Sequence, residues 1–270
     1  MYEEYWQLSD KPFPYRMPTS DYYAIDTQRT ALLRLQYCVE NGGGFALVLG
    51  ESGLGKTTLL RQLEASSAAL KPFIYLTFPG LGPVDQLRLL CTELSDTPFA
   101  ATGRPDELLQ EVISNLRRWT AAGCHPIICF DDAQLLKPEV LTDIVLTILN
   151  LRDIDDHIDF TLIMAGQPVL VSHLSRQPQL RERVAVTARL SGMTLEEVSD
   201  YVQGRMQACG RPDAVFSDDA VRKVFLISQG NPRRLNRLCD MALLLGCADQ
   251  LTSIGAAQVE AVGDELLSAA

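Results

Sequence analysis

Short, unbroken apolar runs alternate with amphipathic stretches over the first two thirds of the chain. Residues 45–49, 73–78, 127–130 and 160–165 are apolar almost throughout, the pattern of strands covered on both faces. Between them, apolar residues recur at helical spacing. Leu32, Leu33, Leu35, Cys38 and Val39 mark a helix with Asp26 at its N-cap, stopped by Asn41 and the glycines at 42–44. Residues 58–69, 84–94, 105–121 and 138–151 continue the helical pattern. Strands alternating with helices predict an α/β fold on a parallel sheet.

From Ser191 onward the strand signal stops. Residues 194–208 open with the capping box Thr194-Leu195-Glu196-Glu197, residues 217–229 open on a serine N-cap, and residues 232–247 carry proline in the first turn. The expected division is a sheet domain over residues 1–190 and a small all-helical domain over residues 191–270. The first 25 residues hold Phe13, Pro14, Tyr15, Pro18, Tyr22 and Tyr23 without a steady period. They are expected to wrap onto the sheet domain as an extended segment.

Two stretches carry chemistry. Gly50-Glu51-Ser52-Gly53-Leu54-Gly55-Lys56-Thr57 satisfies G-x-x-x-x-G-K-[ST] between a predicted strand and a predicted helix, the context that motif requires. Its glycines let successive backbone N–H groups turn inward around phosphate oxygens, and the helix through Thr58 adds its positive N-terminal end. Lys56 would reach the β- and γ-phosphates and Thr57 would ligate Mg²⁺. The second stretch is Ile127-Ile128-Cys129-Phe130-Asp131-Asp132-Ala133-Gln134, where an apolar strand delivers two carboxylates at its C-terminal end. Ligands bind at that edge of open parallel sheets. Asp131 suits a hard Mg²⁺ ion, and Asp132 would polarise the water attacking the γ-phosphate. The competing reading makes the two acids an N-cap pair for the helix that follows.

These stretches, with Ala165-Gly166-Gln167-Pro168-Val169-Leu170 after a strand and Gly230-Asn231-Pro232-Arg233-Arg234-Leu235-Asn236 in the helical part, resemble the AAA+ ATPase module of the ExeA/GspA type. Tyr2, Leu8, Lys11-Pro12-Phe13 and Gly43-Gly44-Phe45 extend the resemblance over nearly the whole chain. Related modules occur in transposition ATPases of the TniB/TnsC kind. The resemblance implies a P-loop core on a parallel five-stranded sheet flanked by helices, followed by a small all-helical lid, with ATP and Mg²⁺ as cofactors. It implies a sensor role for Gln167 near the γ-phosphate, the other reading being a turn residue before Pro168. Arg233 matches the arginine of the lid that folds over the nucleotide, against a solvated helix charge beside Arg234 and Arg237. Arg183 is the first candidate for an arginine finger reaching a neighbouring subunit and Arg181 the alternate, against a plain Arg-Glu-Arg surface. Many relatives carry Asp-Glu at the strand end; Asp132 is one methylene shorter, a retreat of about 1.5 Å that can cost about a hundredfold in rate.

Charge bears on the partner. Lys and Arg number 24 against 34 Asp and Glu, a formal net charge of −10, which argues against a surface coated for nucleic acid. The expected protein is therefore an ATP-hydrolysing motor or switch, a homo-oligomer in a ring or filament acting on a protein client. The alternatives are an ATP-dependent DNA-binding regulator of the TniB/TnsC kind and a nucleotide-gated scaffold with little hydrolysis. The seven cysteines are odd in number, scattered and mostly set in apolar runs, as in reduced core thiols. Cys124, His125 and Cys129 at the edge of one such run read as packing rather than a metal site. No basic leader and no apolar stretch of about 20 residues is present, so a cytoplasmic protein without direct membrane insertion is expected.

Overall fold

The computed structural model describes residues 1–15, 25–95 and 103–268; Pro18, Tyr22 and Tyr23 lie outside them. Contacts divide the chain into two compact units, one of Asp26–Ser52 with Lys56–Leu190, the other of Met1–Ile25, Gly53–Gly55 and Ser191–Ala270.

The first unit is built on β1 (Phe45–Leu49), β2 (Phe73–Leu76), β3 (Ile127–Phe130), β4 (Thr161–Gly166) and β5 (Val186–Arg189), all parallel, in the order β2-β3-β4-β1-β5. β1, β3 and β4 are buried at every position, which is why their sequences are continuous apolar runs. β5 is the strand that hydrophobicity does not announce. It is an edge strand whose Thr187 is half-buried and whose Arg189 is exposed, so half of it stays polar.

Helices connect and cover the strands: α1 (Asp26–Glu40), α2 (Lys56–Ser66), α3 (Pro83–Leu94), α4 (Pro105–Ala121), α5 (Pro138–Val140), a π-helical stretch Leu141–Leu146, α6 (Thr147–Ile154), α7 (Val169–Ser175) and α8 (Pro178–Arg181). Phe45, Phe130, Phe160, Leu90 and Leu116 are among the fully buried residues between sheet and helices. The mixed residues Arg117, Arg118 and Trp119 at the end of α4 serve the fold. Arg117 pairs with Asp155 at 2.6 Å, and the Trp119 indole donates to the Leu94 carbonyl at 2.9 Å.

The second unit packs α9 (Leu195–Ala208), α10 (Asp218–Ser228), α11 (Pro232–Ala248) and α12 (Ala256–Ser268). The capping signals in the sequence are made as hydrogen bonds. Thr194 and Glu197 exchange bonds of 3.2 and 2.8 Å, and Ser217 accepts from the Ala220 N–H at 3.1 Å. The N-terminal segment, expected on the sheet domain, belongs to this unit instead. Tyr2, Trp6, Leu8 and Phe13 are buried with Tyr201, Phe216 and Leu243. The Trp6 indole donates to the Leu243 carbonyl at 2.9 Å, and buried Arg205 donates through Nε to the Pro12 carbonyl at 2.7 Å. The aromatic side chains of the segment enlarge the core that the four helices share. Cys38, Cys91, Cys129, Cys209 and Cys239 are buried free thiols, and burial pushes Cys91 up to about 11. Among the described residues no helix is long and apolar enough to cross a membrane.

Candidate functional site

Strand order decides which loops meet. β4 lies between β1 and β3, so the turn after β4 is flanked by the glycine-rich loop after β1 and the acidic turn after β3. The loop starts on a sheet hydrogen bond, Gly50 N–H to the Gly166 carbonyl at 3.1 Å. Gly53 and Gly55 both have φ of +87°, a conformation that L side chains disfavour and that lets the backbone curl inward. Leu54 between them is buried and anchors the loop tip. Within the second unit, a Cβ on Gly53 would stand 2.6 Å from Asn231 Oδ1 and 2.9 Å from Arg233 Cβ, so steric room as well as φ demands glycine there.

Helix α2 begins at the loop's end, two residues earlier than its apolar pattern indicates. Lys56 is buried to 7% exposure and its Nζ donates to the carbonyls of Gly50 and Glu51 at 2.9 and 3.1 Å. The ammonium thus sits inside the curl formed by the loop. Thr57 Oγ1 donates to Asp131 Oδ2 at 2.6 Å, across 74 residues of sequence. Thr58 is half-buried and Glu51 and Ser52 are exposed.

At the β3 end, Asp131 is 9% exposed and Asp132 is exposed. Asp132 has φ of +49°, and its N–H donates to Asp131 Oδ1 at 3.0 Å. Its side chain makes no capping bond, and a 3-10 turn, Ala133–Leu135, separates it from the next helix. The N-cap reading of the acid pair therefore fails: the backbone turns left-handed at Asp132 and its carboxylate caps no helical N–H. Gln134 is buried to 8% exposure, and the motif reading assigns it no role. Its Nε2 donates to Asp132 Oδ1 at 3.2 Å, and its Oε1 accepts from the Gln167 N–H at 3.0 Å. Its only sequence signal is a polar side chain in the otherwise apolar run 133–136.

Lys56, Thr57, Asp131, Asp132 and Gln167 are thus gathered at neighbouring strand ends. The arginines are arranged differently. Arg183 pairs with Asp153 at 2.9 Å and is 31% exposed, whereas Arg181, at the end of α8, is exposed. Arg233 is exposed in the first turn of α11, where Asn231 Oδ1 accepts from its N–H at 3.1 Å. The hydroxyl of Thr57 and the carboxylate of Asp131 form a compact set of hard oxygen donors, the chemistry that Mg²⁺ prefers.

Comparisons with known proteins agree with this geometry. The chain is 31% identical over 251 residues to the General secretion pathway protein A of Aeromonas hydrophila, covering 92% of this chain and 45% of that one. The chain therefore spans about half the length of this relative. Among solved structures, Cdc6p from Pyrobaculum aerophilum superposes with a TM-score of 0.70 at 21% identity, over 92% of this chain and 68% of that one. The Aeropyrum pernix ORC1 protein, solved in complex with DNA, gives 0.67 at 19%, over 90% and 66%. The Thermotoga maritima RuvB Holliday junction branch migration motor gives 0.61 at 18%, over 95% and 74%. At these identities the likeness is one of fold. The family model of the AAA domain matches residues 39–174, from the end of α1 through β4 into α7, and the chain belongs to the AAA domain family.

Proposed function

We propose that this chain binds ATP with Mg²⁺ and hydrolyses it, acting as an oligomeric motor or switch on a protein partner. The observation that carries the reading is the 2.6 Å contact of Thr57 with Asp131 beside a buried Lys56. The backbone N–H groups of residues 50–55 and the N-terminal end of α2 would hold the phosphates, with Lys56 and Thr58. Thr57 and Asp131 would hold Mg²⁺, which when bound supplies charge neutralisation to the phosphates. Asp132 would orient the attacking water, and Gln167 would contact it or the γ-phosphate. For a finger acting on a neighbouring subunit, Arg181 replaces Arg183 as first choice, because Arg183 is already committed to Asp153.

A protein partner fits a chain of net charge −10 better than a phosphate polymer does. Titration calorimetry with a slowly hydrolysed ATP analogue and Mg²⁺ tests the core of the reading. Lys56→Ala is expected to weaken binding at least about a hundredfold, since it removes a buried charge from the phosphate cradle; unchanged affinity would overturn the proposal. A gel-shift series in salt separates the DNA-binding alternative, which requires steeply salt-sensitive binding to duplex.

A further inference from the structure

We infer that Gln134 is a positioning residue whose side-chain amide locks the Asp132 carboxylate to the backbone of Gln167, so that the two groups assigned to the attacking water move as one. The inference rests on the hydrolytic reading of Asp132 given above.

The orientation of the amide is forced. The Gln167 N–H can only donate, so the Gln134 oxygen must face it, at 3.0 Å. The Gln134 NH₂ is thereby left facing Asp132 Oδ1, at 3.2 Å, where a carboxylate can only accept. No flipped arrangement satisfies both partners. Burial makes the bridge consequential: Gln134 is 8% exposed, and a buried amide that lost both partners would leave polar groups unsatisfied. The fold also keeps space for it. A Cβ on Gly166 would stand 2.8 Å from Gln134 Oε1, so glycine at the end of β4 is what allows the amide to reach the Gln167 N–H.

Asp132 is consequently held at two points, its N–H by Asp131 Oδ1 at 3.0 Å and its carboxylate by Gln134. An exposed aspartate in a left-handed turn would otherwise sample several rotamers. A carboxylate too short to tolerate misplacement gains most from such a restraint, because errors near 1 Å cost about a hundredfold in rate.

The test compares Gln134→Met, Gln134→Glu, Asp132→Asn and the Asp132→Asn/Gln134→Met pair in the full chain. It reads ATP turnover, ATP-analogue affinity and hydrogen exchange at the Gln167 amide. Gln134→Met is expected to keep analogue affinity within about twofold, to lower kcat by about 10- to 100-fold, and to speed Gln167 exchange at least tenfold. Gln134→Glu, assayed at a pH where the new carboxyl is ionised, still accepts from the Gln167 N–H but cannot donate to Asp132. It is expected to keep the protection and still lose kcat. The double variant is expected to be no slower than Asp132→Asn, the non-additivity of two residues acting as a unit. Wild-type kcat in Gln134→Met, multiplying losses in the double variant, or a parallel loss of analogue affinity would each overturn the inference. If the wild-type chain binds ATP and never turns it over, the hydrolytic reading falls separately. The exchange measurement then decides the bridge, and unaltered Gln167 protection in Gln134→Met refutes it.

Discussion

Removing the Trp6 ring tests whether the N-terminal segment is core or decoration. Trp6 is 2% exposed, stands edge-on to Tyr5 with ring centroids 5.0 Å apart, and donates its indole N–H to the Leu243 carbonyl. Truncating a fully buried tryptophan to alanine costs about 3–5 kcal/mol from lost transfer energy and the cavity left behind. With an m-value of about 2 kcal/mol per molar urea, the unfolding midpoint of the helical unit should fall by about 1.5–2.5 M. Trp6→Phe keeps most of the apolar area, and its lost hydrogen bond accounts for about 1 kcal/mol. The assay is urea unfolding of the full chain followed by circular dichroism, with Trp6→Ala and Trp6→Phe beside the wild type. Gly246→Ala supplies a second arm. Alanine favours a helix interior by about 1 kcal/mol over glycine, yet here its Cβ would collide with Ile254 Cδ1 and lie 2.9 Å from Trp6 Cζ2. It should therefore destabilise, and less so in the Trp6→Ala background, where one of the two obstacles is gone. A midpoint change below about 0.3 M in Trp6→Ala would refute the reasoning.

Other expectations follow from single contacts. Gly166→Ala should lower kcat at least tenfold with analogue affinity retained, because its Cβ displaces the Gln134 oxygen; turnover and calorimetry check it. At the opposite edge of the sheet, His125 bonds Asp159 and Thr161, each at 2.9 Å. The His125 hydrogen bond, with Arg152 adding to it, holds the Asp159 carboxyl below the usual carboxylate range. The stability it confers is present above the unfolded value near pH ~4 and is lost as pH falls through the lower folded value. Asp159→Asn should flatten the acid limb of urea midpoints between about pH 5 and pH 2, and profiles parallel to the wild type would contradict this. Arg181→Ala should bind the analogue normally and lose turnover, and mixing with Lys56→Ala, which still presents Arg181, should restore part of it. Arg183→Ala should keep turnover and cost no more than about 1 kcal/mol of stability, as expected for a partly exposed ion pair.

The sequence by itself determined the elements whose physics is local. Continuous apolar runs declared the central strands, because burial on both faces removes alternation. The G-x-x-x-x-G-K-[ST] loop, the caps at Thr194 and Ser217 and the first-turn Pro232 were legible because backbone turns and orphan N–H groups restrict residue type within a few positions. The paired acids announced a strand end for a different reason, since ligands bind at the C-terminal edge of a parallel sheet and carboxylates there suit a hard cation. Only the tertiary structure decided which distant loops share an edge. Placing β4 between β1 and β3 brings Thr57 to Asp131 and Gln134 to the Gln167 N–H, pairings that leave no periodic trace in either segment. It also assigned the N-terminal aromatics to the helical unit, since an irregular apolar segment can complete whichever core lacks volume. The same holds for β5, whose edge position excuses it from the apolar pattern, and for Arg181 and Arg183, where an ion pair to Asp153 sets apart Arg183, the side chain that the sequence ranks first.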